Sequence, residues 1–362
     1  MTGTLARYFG RRFFNTLMAV IGGLFAMVVL LDYVEMMRRM GDIPGVSAVT
    51  IAKISLFRVP QIAERILPFC VLIGAMSSFL DLSRRLELVV SRAAGMSAWQ
   101  FTAPAVVIAI LVGIVATAIF NPIAAVLAER SKRLEAEISG GAQSGLQQTV
   151  NGFWVMQRSD KGQSIVNATT SREQGVLLSN VTAFVFDLDG HFLERVEAKS
   201  AALRAGHWQL AEARVYAPGT PPSERASYQL DTNLTPEQVR ETFSTPETVP
   251  FWQLPYFIDL AERAGLRAAG YHLQFQKLIS RPFMLAAMVL LAAAFSLRFF
   301  RFGGVQKMVL GGLTSGFLLY VLSKVADDLS KAELLPPTVG AWMPAVIGSL
   351  IGLVALLYQE DG

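Results

Sequence analysis

The stretch Phe13-Phe14-Asn15-Thr16-Leu17-Met18-Ala19-Val20-Ile21-Gly22-Gly23-Leu24-Phe25-Ala26-Met27-Val28-Val29-Leu30-Leu31 contains no charged residue. A helix needs about 20 predominantly apolar residues to cross the hydrocarbon core of a bilayer. This stretch meets that length. No small-residue cleavage site follows it, only Asp32-Tyr33-Val34-Glu35, so it reads as a retained span and not as a secretion signal. Further uncharged runs lie at Leu67–Leu80, inside Ala93–Ala128, and at Phe283–Leu297, Met308–Ser323 and Pro344–Tyr358. The second begins earlier, near Ile54, across Arg58, Glu64 and Arg65. The fourth and fifth are short, so their ends extend into polar flanks. The expectation is six spans, three before the middle of the chain and three after.

Composition agrees. Of 362 residues, 52% are hydrophobic and only 17% charged, where soluble domains carry about a quarter charged residues. The net charge of +4 fits cytoplasmic arginines in a membrane protein better than a nucleic-acid partner. One cysteine, Cys70, forms no internal disulfide, and three histidines leave little for a metal site.

Basic residues in the short loops set the orientation. Arg7, Arg11 and Arg12 precede the first span. Arg84, Arg85 and Arg92 separate the second from the third, and Arg298, Arg301 and Lys307 separate the fourth from the fifth. The alternation predicts both termini in the cytoplasm and the middle region, about Glu129–Gly270, outside it. That region reads as mostly β. Strand-like runs occur at Gly152–Met156, Ser164–Thr169 and Thr182–Asp187. Asp189-Gly190 then turns into Phe192–Glu197, a hairpin signal. Ala205-Gly206 precedes another run, Trp208–Tyr216, and the spacing suggests a sandwich or jelly roll. Ser131–Ile138 and Pro255–Ala264 read as helices leaving and re-entering the membrane region. The expected organisation is therefore residues 1–138 for spans one to three, 139–265 for an all-β jelly-roll-like domain, and 266–362 for spans four to six.

Motifs of catalysis are missing from the sequence. It has no G-x-x-x-x-G-K-S/T phosphate loop, no H-E-x-x-H and no G-x-S-x-G. The uncharged cores of the spans hold no ionisable group for intramembrane hydrolysis. No catalytic residue, cofactor or metal is expected.

The second cytoplasmic loop is the most informative short segment. In Asp81–Gly95, residues Leu82, Leu86, Val89 and Ala93 recur at helical spacing, with Arg84, Glu87 and Ser91 opposite. Gly95 is well placed to cap its end. The segment, about 81–95, is expected to be one short amphipathic helix on the cytoplasmic surface. Periodicity alone leaves two readings equal: a helix resting at the interface, or one that docks into a cytosolic partner.

The run Glu87-Leu88-Val89-Val90-Ser91-Arg92-Ala93-Ala94-Gly95-Met96-Ser97 resembles the lipopolysaccharide-export permeases of the LptF/LptG family. So do the opening Leu5–Arg11 and the segment Asn233-Leu234-Thr235-Pro236. Asp32-Tyr33-Val34-Glu35 looks more like the G branch. The resemblance covers nearly the whole chain.

It implies a subunit of an ABC transporter in the bacterial inner membrane, without an ATPase site of its own. The implied partners are a cytosolic ATPase dimer, a second related permease, a periplasmic bridge protein with a β-jelly roll, and the lipopolysaccharide substrate. Glu87 matches the family's acidic residue on the coupling helix that meets the ATPase, with Arg84, Arg85 and Arg92 around it. Lipopolysaccharide carries phosphates, so basic residues near the outer face are candidate contacts. These are Arg38 and Arg39 beyond the first span and Arg130 and Arg133 beyond the third. Ordinary interfacial anchoring accounts for them equally well. Where the G branch is expected to carry a basic residue, this chain has Asp32.

Two other functions share parts of this pattern. A membrane-anchored scaffold for a periplasmic partner would need no ATPase docking. A lipoprotein-release permease would usually have four spans with its large domain after the first, and the six-span pattern argues against it.

Overall fold

The structure is a computed structural model, and it describes residues 3–41, 46–138, 153–159, 162–172, 176–187, 191–204, 206–232, 246–263, 268–300 and 305–360. The chain forms two compact units. One comprises Met1–Ser131, Pro250–Trp252 and His272–Gly362; the other comprises Lys132–Val249 and Gln253–Tyr271.

Six helices, lying wholly or mainly in the first unit, are long and apolar enough to cross a membrane, as the sequence predicts. They are α1 (Gly3–Met40), α2 (Ala48–Arg84), a composite third span, α7 (Ala269–Phe300), α8 (Val305–Lys331) and α9 (Pro337–Glu360). A short α3 (Glu87–Ala93) follows α2. The composite span is α4 (Ala98–Val115), a π-helical turn (Ala116–Phe120) and α5 (Asn121–Ile138). The helices outrun their uncharged cores, because polar side chains on their extensions find partners on neighbouring helices.

Small residues set the helix spacing, as expected where lipid offers no hydrophobic drive between helices. A Cβ on Gly312 would stand 2.4 Å from Met76 and one on Gly316 2.3 Å from Leu72. The paired positions run in opposite directions, so α2 and α8 are antiparallel. The end of α2, with Arg84 and Arg85, and the start of α8, with Lys307, therefore share one end of this unit. Gly113 admits Pro282 in the same way, since an added Cβ would lie 2.5 Å from its Cα.

Two prolines, Pro122 on the third span and Pro282 on α7, free backbone carbonyls beside the π turn. A proline has no N–H for the carbonyl four residues earlier, and an orphaned carbonyl is costly in a membrane. Pro122 leaves the Ala118 carbonyl free at the π turn, and the Trp252 indole N–H donates to it at 3.0 Å. Pro282 leaves the Leu278 carbonyl free, and the Thr117 hydroxyl donates to it at 2.9 Å.

The second unit contains six antiparallel strands in sequential order: β1 (Phe153–Ser159), β2 (Gly162–Arg172), β3 (Leu177–Phe186), β4 (Phe192–Arg204), β5 (His207–Tyr216) and β6 (Ser223–Asp231). The expected hairpin is present as the β3–β4 pair, with Phe186 opposite Phe192. Its turn residues Asp189-Gly190 lie outside the described residues, as does Asn233–Pro236. The helix expected at Pro255–Ala264 is present as α6 (Leu254–Arg263).

The antiparallel sheet is inserted between spans three and four, but its strands do not alternate along their whole length. Buried positions shift phase in three strands at one level. They run Leu178 to Val181 in β3, Ala198 to Ala201 in β4 and Leu210 to Ala213 in β5. Asn180 and Glu212, at φ 50° and 52°, sit at that level. The meander is thus creased across its strands, a bend of the kind that carries strands from one packed layer into another. The Gln157 carbonyl on β1 accepts hydrogen bonds from Trp208 on β5 (3.0 Å) and from Thr232 after β6 (2.8 Å). The sheet is rolled until its first strand faces its last, around Trp208, Leu178 and Leu210.

Candidate functional site

The segment expected to form one helix over 81–95 is two pieces. The span helix α2 runs through Leu82, which is buried, and ends at Arg84. The chain then turns at Leu86, a non-glycine residue at φ 60°, and α3 starts at Glu87. The stripe Leu82–Leu86–Val89 is therefore not one face. Leu82 belongs to the span core, while Leu86 is 59% exposed. The periodicity was real, but the break is set by side-chain charges that periodicity does not weigh. At the far end, Gly95 caps α3 as predicted. Its φ is 83°, and the Met96 N–H bonds the Ser91 carbonyl at 3.1 Å, a Schellman closure.

Arg12 of α1 organises the break. Its Nη2 lies 2.5 Å from Asp81 Oδ2 at the end of α2. Its Nη1 lies 2.9 Å from Glu87 Oε1 and 3.2 Å from Oε2 at the start of α3. The same Nη1 donates to the Tyr8 hydroxyl at 2.8 Å, and that hydroxyl donates to Glu87 Oε2 at 3.1 Å. Arg85 Nε reaches Asp81 Oδ1 at 3.2 Å. Glu87 does not project freely from the opposite face, as periodicity suggested. It is half-buried and held by the first span. Arg84 is exposed, and the Arg92 side chain lies outside the described residues.

The four arginines expected at the outer face are not gathered into one described cluster. Arg38 and Arg39 share Glu35 at 2.9 and 3.4 Å and are largely exposed. Arg130 is exposed on α5, and Arg133 follows one turn later on the same helix. Asp32 is buried, with Oδ1 3.6 Å from Arg58 Nε, so this position carries a helix–helix ion pair.

Sequence reading missed a second charged group. The uncharged cores hold no ionisable residue, but α2, α7 and α8 continue well beyond them and carry charged side chains there. Glu64 of α2, 8% exposed, pairs with Arg281 of α7. The same Oε1 accepts from Asn121 Nδ2 at 2.8 Å, and Asn121 Oδ1 accepts the Phe251 N–H at 3.0 Å. Lys277 of α7 pairs with Asp327 of α8 at 2.6 Å. Each charge meets an opposite one, which is how charges are tolerated among spans. The signal was present in Glu64, Arg65, Lys277 and Arg281, but it showed only as interruptions of hydropathy. Among the described residues no group of three or more His, Cys, Asp or Glu side chains could hold a metal.

The family model for the lipopolysaccharide export system permease LptF/LptG matches residues 7–358. The chain belongs to the LptF/LptG family. It is similar to the lipopolysaccharide export system permease protein LptG of Escherichia coli K12, at 24% identity over 364 aligned positions and 99% of each chain. It is also similar to the LptG protein of Haemophilus influenzae, at 24% identity and 96% coverage of each. The match runs through α1, α2, α3, the rolled sheet and the last three spans. The charged turn at Arg12, Asp81 and Glu87 and the buried group at Glu64 and Arg281 therefore both belong to an LptF/LptG permease fold. Six apolar spans and permease relatives make it a multi-pass inner-membrane protein.

Proposed function

We propose that this chain is the G-type membrane subunit of an ABC exporter that extracts lipopolysaccharide from the inner membrane. ATP hydrolysis is supplied by a separate cytosolic dimer, and a second related permease completes the membrane cavity. The basic end of the spans, with Arg12, Arg84 and Arg85, faces the cytoplasm, and both termini lie there. The rolled β unit lies in the periplasm and hands substrate to a bridge protein, whose strands add to an exposed edge.

The observation that carries this reading is the break after α2. A seven-residue helix stands at the basic end, opened by Glu87 and tied by it to the first span. Docked on an ATPase, the Glu87 carboxylate meets a cation there, and Arg84, Arg85 and Arg92 flank the contact. Nucleotide-driven closure of the ATPase pair then moves α3, and with it the first two spans. At the other end, Arg38, Arg39, Arg130 and Arg133 offer guanidinium forks to lipid phosphates.

Glu87→Ala tests the docking. Truncating one side of a desolvated charge pair costs about 2–5 kcal/mol, so the variant should lose most co-purifying ATPase or hydrolyse ATP without delivering lipopolysaccharide to a periplasmic acceptor. Full assembly and transport by Glu87→Ala and Glu87→Arg would leave the scaffold reading in its place. On the substrate side, single replacement of the four arginines by Glu should lower crosslinking to lipopolysaccharide, and full crosslinking in all four would remove them from the path.

A further inference from the structure

We infer that Arg12 is the positioning residue of the coupling turn: it ties α3 to both the first and second spans and orients the Glu87 carboxylate for its cytosolic partner. The inference rests on the docking reading above and deepens it.

The geometry is that of a bridge. One guanidinium nitrogen serves Asp81, the last acidic residue of α2, and another serves Glu87, the first residue of α3. Nothing else among the described residues joins three helices at this end through one side chain. Arg12 itself is only 17% exposed, while Asp81 and Glu87 are 46% and 30% exposed. The cation is thus fixed and the two acids lie on its solvent side. Leu86, at φ 60° between them, holds a left-handed conformation that a non-glycine residue adopts only at a cost. A turn of that kind persists only where its surroundings fix it, and Arg12 bonds the residues on both sides.

Orientation follows from lone-pair accounting. A carboxylate offers about four acceptor sites. Arg12 takes one on each oxygen of Glu87, and the Tyr8 hydroxyl takes a second on Oε2. Among the described residues, one site on Oε1 stays open. A partner cation can therefore add to the carboxylate without displacing Arg12. The docked helix then has a rigid connection to α1, in the manner of outer-shell groups that fix a ligand's direction. Lysine can replace this function only in part, because its ammonium keeps the charge but lacks the fork that serves two acids at once.

The experiment uses the whole transporter, purified with its ATPase and reconstituted in vesicles with lipopolysaccharide and a soluble periplasmic acceptor. Arg12→Gln should still bind the ATPase, because Glu87 remains. ATP hydrolysed per lipopolysaccharide delivered should rise roughly tenfold, the scale of losing one charge-assisted hydrogen bond. Arg12→Lys should fall between. The exchange Arg12→Asp with Asp81→Arg, which restores the α1–α2 pair but leaves Glu87 facing an acid, should stay uncoupled. Spin labels at Leu5 and Val90, both exposed, should report a broader distance distribution in Arg12→Gln than in the parent. An unchanged ratio of hydrolysis to delivery in Arg12→Gln overturns the inference, whatever the spin labels show. If that variant fails to insert, Asp81→Asn carries the same readout, and a parental ratio there also overturns it. The docking reading fails by a different result, full ATPase recovery with Glu87→Arg.

Discussion

Two arginines in this protein do similar things in different surroundings. Arg12 bridges Asp81 and Glu87 at the basic end of the spans; Arg281 meets Glu64 along the spans, with Asn121 on the same oxygen. The arginines are almost equally covered, at 17% and 16% exposed. Their acids are not: Asp81 and Glu87 keep 46% and 30% of their surface, Glu64 only 8%. An acid in contact with water can change partners at small cost, because solvent compensates it. A buried one cannot. The first arrangement suits a joint that receives another protein, and the second suits a fixed tie between helices.

The largest consequence concerns the buried tie. Glu64→Leu or Arg281→Met alone leaves one charge uncompensated, and each should lower stability by about 3–5 kcal/mol. The double replacement should recover most of that loss, because buried ion pairs exchanged for apolar groups of similar volume are often neutral. Thermal unfolding of the purified protein in detergent checks this. Single variants as stable as the double would mean water reaches Glu64, and the contrast with Glu87 would fall.

A smaller effect is expected at Thr117→Val. It removes the hydroxyl that satisfies the Leu278 carbonyl freed by Pro282, leaving a buried acceptor unmet at about 1–3 kcal/mol. The same melting experiment reads it, and Thr117→Ser should recover most of the loss because it keeps the hydroxyl. A silent Thr117→Val would show that the proline gap is filled another way.

The smallest effect on stability should be at the joint. Arg12→Gln is expected to cost about 1 kcal/mol or less, since its acids are partly hydrated, although it should disturb coupling strongly. A melting loss in Arg12→Gln as large as that in Arg281→Met would make the joint another structural tie and erase the distinction drawn here.

The sequence by itself determined the six spans, the β insertion and the three basic segments, because each of these is a local quantity. Hydropathy over about 20 residues, alternation over five, and lysine and arginine between spans need no knowledge of neighbours. It also determined the family resemblance, carried by Glu87–Ser97, and the glycine cap at Gly95. Only the tertiary structure decided the rest. Helical periodicity joined Leu82, Leu86 and Val89 into one stripe; Arg12, distant in sequence, is bonded on both sides of the turn that divides it. The creased rows at Asn180 and Glu212 depend on three strands bending at one level, so no single strand announces them. Glu64 and Arg281, 217 positions apart, looked like interruptions in two hydrophobic runs. Their cost is set by what each faces once the helices pack, and a charge's partner is a property of space, not of sequence order.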